Sequence, residues 1–324
     1  IGGAPALGLM RASEQGRPMK AFATWVMKGR MQAIIAATVL SLLALLVTPL
    51  ALLSAAVVML AVLRQGWREG AVVVGGALSA MAGLGFLLLG MPLAAVLVGA
   101  MMLIPAAVLG GVLGLTGSLR RAIEVAGLGA VLIVVAQHLL MTDPTAFWAE
   151  VLNTFLASNV DSEALAEADL SQLVEVMSGW MAGGLAATWL IGSVISLALA
   201  RRWSDLIDEK SEAAAAFHEL RFGRGLLILV PLLLLFVVID GGRPSLIGHL
   251  YLVGMVLYLV QGVAVAHGLV AMFGASPAWL VGLYMLLVFV APHGATMVAV
   301  AGYADGWVDF RARARARRRD TDGV

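Results

Sequence analysis

Cysteine is absent from this chain of 324 residues. Disulfides, thiolate metal ligands and a cysteine nucleophile are therefore excluded. Charge is scarce too. Asp, Glu, Lys and Arg make up 13% of the residues, about half the share carried by a soluble domain, which argues against an ordinary globular enzyme. The net charge of +1 says little as a total; the placement of the charges says more. Also missing are a phosphate-binding glycine loop, a paired-histidine metal motif and a serine elbow. No enzyme activity, cofactor or metal site is expected.

What the chain does have is apolar surface. Hydrophobic residues make up 61% and the mean hydropathy is +0.97. This exceeds what the entropy of ordering demands, so disorder is excluded as well. The composition predicts an all-α fold: a polytopic transmembrane helical bundle of about eight to ten membrane segments, with short amphipathic helices outside the membrane. The chain opens on Ile1 rather than Met, and its first basic residues (Arg11, Arg17, Lys20, Lys28, Arg30) come late. Residues 1–28 read as a flexible leader with Met19 a plausible start, not as a cleaved signal.

A crossing needs roughly 20 apolar residues. Met31–Leu63 is too long for one crossing and holds Pro49, so a tight hairpin of Met31–Val47 and Leu50–Arg64 is expected. Ala71–Gly90, Pro92–Gly114, Ala122–Leu140 and Ser178–Ala200 follow, then Gly225–Ile239, Leu246–Phe273 and Ala278–Tyr303. An even number of crossings places twenty of the 21 Lys and Arg on one face, with only Arg243 opposite. That is the positive-inside pattern, with both termini in the cytoplasm of a bacterial inner membrane. The last run must then double back at Pro292-His293-Gly294, as half-helices Ala278–Val290 and Ala295–Val308. The alternative is that Gly225–Ile239, holding Pro231, fails to cross.

Two polar stretches interrupt the runs. Residues 142–177 are acidic and read as an extracytoplasmic cap. One helix starts at Asp143-Pro144 and a second, Ser162–Met177, leads into the sixth span. Residues 201–224 read as a cytoplasmic amphipathic loop with Trp203, Leu206, Ile207, Phe217 and Leu220 against the interface. The chain thus divides into the leader, a six-helix bundle over 29–200, that loop, carboxy-terminal membrane helices over 225–308, and a basic tail over 309–324. Arg311, Arg313 and Arg315 of the tail suit anionic lipid headgroups. Nucleic acid is not an expected partner, because no aromatics interleave with the arginines.

In lipid, small residues let helices approach closely. Such ladders are Ala33-Ala37-Ser41, Gly75-Ser79-Gly83, Gly110-Gly114 and Gly184-Thr188-Gly192-Ser196, with internal packing the default and docking of another subunit the alternative. Polar residues at membrane depth are the default functional candidates. Glu124 pairs with Arg120 or Arg121, while His138 and His249 lie near the outer ends, where imidazole reaches water. Tyr251, Gly254, Tyr258, Gln261, Val265 and Gly268 share one stripe, which must face protein or a cavity. Tyr251, Tyr258 and Gln261, with His267 beside them, are the candidates for solute contact or for hydrogen bonds between helices.

The stretches KGRMQAIIAA, LLSAAVVMLAVLRQGWREG, FHELRFGR, YLVQGVAVAHGL and AGYADGWVDFRAR resemble the YybS-like bacterial membrane proteins, a family of unknown function. The resemblance spans Lys28 to Arg313. That family is remotely similar to the S components of energy-coupling-factor transporters. The resemblance implies six helices with both ends cytoplasmic, a vitamin or metal ion bound within the bundle, and ATPase partner subunits. Met31–Ala200 matches that helix count, and Ala33-Ala37 looks like the small-residue motif by which S components dock. The part from Gly225 onward and the acidic insertion depart from the pattern. A transport-related membrane protein is the leading expectation, and a non-transporting scaffold or assembly factor the second.

Overall fold

The computed structural model describes residues 17–159 and 167–322, and all regular structure among them is helical. In chain order come α1 (Arg17–Val26), α2 (Arg30–Leu43), α3 (Leu50–Gln65), α4 (Trp67–Leu89) and α5 (Pro92–Thr116). Next are α6 (Leu119–Leu140), α7 (Pro144–Asn159), α8 (Glu167–Asp208) and α9 (Glu212–His218). The chain continues with α10 (Arg224–Ile239), α11 (Leu246–Phe273), α12 (Ala278–Phe289), α13 (His293–Val308) and α14 (Phe310–Asp322).

Local chemistry sets these boundaries. Pro92 opens α5, where a missing N–H costs nothing. Gly117 ends that helix and Gly274 ends α11, both with left-handed backbone that a Cβ disfavours. The Asp143 carboxylate accepts from Ala146 N–H at 3.0 Å and caps α7. Two segments differ from the sequence reading. No separate helix ends at Met177, because Glu167 to Asp208 is one uninterrupted helix. Its first turns are rich in Glu, Ala, Leu, Gln and Met, strong helix formers, and hold no proline or glycine to break it. The expected start at Ser162 lies outside the described residues. The stretch 201–224 is likewise not one interfacial helix. The first part extends α8, Glu209 turns with φ 57°, and Trp203 and Leu220 are buried in protein.

Five helices are long and apolar enough to cross a membrane, over Trp67–Leu87, Pro92–Thr116, Leu119–Leu140, Leu170–Asp208 and Leu246–Phe273. A sixth arises if α1 and α2, bent by 115°, form one broken span. The apolar helices α3, α10 and α12 are shorter. The chain is thus an all-helical protein with the hallmarks of a multi-pass membrane protein.

The described residues form two compact units whose boundaries fall inside α6, α8 and α9. One comprises 17–125 with Gly192–Phe217. In this first unit α3 is central, and every residue from Ala56 to Val62 is buried. The Gly110 backbone of α5 lies on Met59 so closely that a Cβ there would meet Met59 Cα at 2.8 Å. Ser54 Oγ donates to Ala37 O, and Ser196 Oγ of α8 donates to Leu52 O at 3.0 Å. Polar bonds thus fasten an apolar core where lipid offers no hydrophobic drive.

The second unit comprises 126–159, 167–191 and 218–322. Its centre is α11, a largely apolar helix with buried positions from Gly248 to Gly268. This helix meets α10, α12, α13 and α14. The run from α12 into α13 breaks at Val290–Pro292, and α13 already begins at His293, two residues before the Ala295 of the sequence reading.

Candidate functional site

The polar stripe of α11 lies within this second unit. Where α11 crosses α13, a Cβ on Gly262 would strike Val298 O, and one on Gly302 would strike Tyr258 O. Only glycine on both helices allows this approach. Beside the crossing, Gln261 is fully buried. Its amide nitrogen donates to Gly302 O at 2.8 Å, and its oxygen accepts from Phe222 N–H at 2.9 Å. Both ends of the side chain are used, so Gln261 acts as a fastener rather than a ligand group.

One turn away lies a small cleft of about 90 Å³ between α10, α11 and α13, lined among others by Pro231, Tyr251, Tyr258, Ala299 and Tyr303. A proline explains part of it. Pro231 has no N–H for the carbonyl four residues earlier, that of Leu227. Tyr303 Oη donates to that carbonyl at 3.2 Å and so ties α13 to the weakened helix. The Tyr303 ring stands edge-on to Tyr258, with centroids 5.2 Å apart. Tyr258 is 1% exposed, and its hydroxyl has no hydrogen-bond partner among the described residues. A buried hydroxyl left so costs about 1–3 kcal/mol. An unmet polar group thus lies in a residue of the cleft's wall.

At the end of α13 a second polar cluster is fully matched. Asp305 is buried, its carboxylate accepting from Phe310 N–H and, at 2.6 Å, from the Arg311 guanidinium. Arg311 also donates to His218 O at 2.6 Å and to Leu220 O at 3.0 Å. This corrects the lipid-headgroup reading of Arg311: the guanidinium is turned to a buried carboxylate and two carbonyls, and the residue is 4% exposed. Arg313 and Arg315 are exposed, and Arg315 lies 3.8 Å from Glu219. Arg221 pairs with Asp309 at 2.5 Å and donates to Gly306 O. The sequence reading passed over Asp305 and Asp309. Their spacing of four, just ahead of the arginines, was the available signal.

His267 bonds Val263 O through Nδ1 and stands 3.4 Å from Tyr284 Oη. The His218 ring stacks 6.3 Å from it, and His218, outside the apolar spans, is held below the ordinary imidazole range by burial and then by His267. His249 needs a correction. It does not reach water but is 3% exposed, set against Trp180 and His138. Gly183 makes the room: a Cβ there would meet the His249 ring at 2.9 Å.

The small-residue ladders divide. Ala33 and Ala37 are buried in the first unit, with Ala37 O accepting from Ser54, so they present no free docking face. Gly192 packs at 3.1 Å on Leu52, while Gly184 meets no neighbour within 4 Å. Gly75, Ser79 and Gly83 are exposed on α4, and Ser79 Oγ merely returns to Gly75 O. The packed positions of α4 are Val73, Ala77 and Met81, two residues out of step with the ladder.

Compared with protein families, with curated proteins and with solved structures, the chain matches none.

Proposed function

We propose that this chain is a transport-related inner-membrane protein whose solute engages the cleft of Tyr251, Tyr258 and Tyr303. The observation that carries the reading is the Tyr258 hydroxyl, buried without a partner beside an unfilled space. A solute offering one acceptor to that hydroxyl and an apolar body to the walls would meet both needs. The space is smaller than the few hundred Å³ of an ordinary ligand pocket, so it suits the head of a solute or a small molecule. Broken helices beside a binding point, as in α12 and α13, are a recurring arrangement in transporters. The resemblance to YybS-like proteins and S components supports the same reading, with ATPase subunits or an ion gradient as the energy source.

In this reading α2, α3 and α10 join the five long helices as crossings, α12 and α13 double back as a hairpin, the number of crossings is even, and both termini lie in the cytoplasm. A reporter fused at Val324 and accessible only from outside the cell would overturn that topology. The solute reading is tested by thermal shift of the purified protein against vitamins and other small solutes. Stabilisation that disappears in Tyr258→Phe is the expected result. No stabilisation by any solute, or stabilisation unchanged in the variant, removes the cleft.

A scaffold is the second reading, favoured by the exposed Gly75-Ser79-Gly83 ladder of α4. There Gly75→Leu would release a co-purifying membrane partner while leaving the melting temperature unchanged.

A further inference from the structure

Away from the tyrosine cleft, two imidazoles meet in the second unit. His138 of α6 and His249 of α11 have ring centroids 5.2 Å apart. Their protonation follows from their partners. His249 Nε2 lies 2.8 Å from Gly179 O, and His138 Nδ1 lies 2.9 Å from Val134 O. A carbonyl only accepts, so both of these nitrogens carry the proton. The other nitrogen of each ring, His249 Nδ1 and His138 Nε2, is then a bare lone pair. His249 Nδ1 is buried and without a partner among the described residues. The two rings that carry these lone pairs are neighbours, and a lone pair on an imidazole is a ligand for something electron-poor.

We infer that His138 and His249 form half of a binding site for a borderline transition-metal cation of the Zn²⁺ class. Three features of the geometry agree. Ligating histidines almost always donate their second N–H to a carbonyl or carboxylate, which fixes ring and tautomer, and both rings here do so. Two imidazoles on one tetrahedral ion, with bonds of about 2.0 Å, hold their ring centres roughly 5 Å apart, close to the observed separation. The place is also built rather than accidental. Gly183 clears room for the His249 ring, Gly179 supplies its carbonyl, and Trp180 stands edge-on at 5.7 Å on its flank. His138 is only half-buried and gives the ion a way in. No group of three His, Cys, Asp or Glu exists among the described residues. The remaining coordination positions therefore fall to water or to a small anionic ligand, as in open metal sites.

The test uses the full chain purified without a histidine tag, stripped with chelator and titrated with Zn²⁺, then with Co²⁺ as a spectroscopic probe. One ion per chain is expected, with visible Co²⁺ bands, and affinity at least about tenfold weaker in His138→Ala. His249→Ala should weaken binding likewise. Because it empties a packed site, its folding is checked by circular dichroism, and His138→Ala carries the test if it misfolds. Absence of stoichiometric binding, or binding unchanged in His138→Ala, overturns the site. So does an NMR titration in which the two rings share a proton and the chain ignores both metals. Failure here leaves the Tyr258 cleft untouched, since no residue is common to both.

Discussion

Gly302 of α13 rests directly on Gly262 of α11, closer than helices bearing a Cβ at that point can come. The contact is backbone on backbone, and the atoms a side chain would strike have no freedom to turn away. Gly302→Ala and Gly262→Ala are expected to lower stability by at least the 1–3 kcal/mol typical of overpacking. Gly225→Ala, where nothing lies within 4 Å, is expected to change it far less. Thermal melting of the three purified variants decides the matter, and equal melting points would contradict the close crossing.

Asp305 and Arg311 make a buried, fully hydrogen-bonded pair. Removing one member strands the other, a loss of about 3–5 kcal/mol for buried pairs. Arg311→Ala should therefore unfold far more readily than Arg313→Ala, which is expected within about 0.5 kcal/mol of the parent. Binding to vesicles containing anionic lipid should separate the two in the opposite sense. Arg313→Ala weakens it, whereas Arg311 is buried and already bonded to Asp305, His218 O and Leu220 O.

Tyr258→Phe deletes a hydroxyl that has no hydrogen-bond partner among the described residues. Its removal should leave stability unchanged or raise it by as much as about 1–3 kcal/mol, the cost of the unmet group. Tyr303→Phe removes a bond to the Leu227 carbonyl left open by Pro231, and should cost about 1 kcal/mol. The opposite signs of the two changes, read from paired melting curves, distinguish an empty polar site from a matched one.

The imidazole of His218 is harder to protonate in the folded chain than in the unfolded one, because burial and the neighbouring His267 oppose its charge. The unfolded chain then binds more protons just below its ordinary pKa of about 6.5, and stability rises with pH there. Acidification from pH 7 through 6.5 should therefore remove stability. In His218→Gln the same change of pH should remove less, as measured by the shift in melting temperature. Equal losses in both proteins would show that other groups control the acid response.

Period and punctuation made much of the helical architecture readable. Pro49, Pro92 and Pro292 mark breaks because they lack an N–H, and Asp143-Pro144 announces α7 through its cap. The close packing was harder to read. Gly75-Ser79-Gly83 and Val73-Ala77-Met81 differ only in phase, and spacing alone does not tell which face of α4 finds a neighbour. Gln261 stood out as a polar residue in an apolar run. Its partners, Phe222 N–H and Gly302 O, are backbone groups that no residue type advertises. Arg311 looked like its neighbours in an alternating tail, since nothing local distinguishes the arginine that meets Asp305. The imidazole pair escaped for the same reason: His138 and His249 are 111 positions apart in the numbering and meet only through tertiary structure.

The 42-residue α8 contains no proline. At 1.5 Å per residue it is about 63 Å long, roughly double the 30 Å of hydrocarbon in a bilayer. It therefore has to project into water beyond the lipid, lean steeply, or do both.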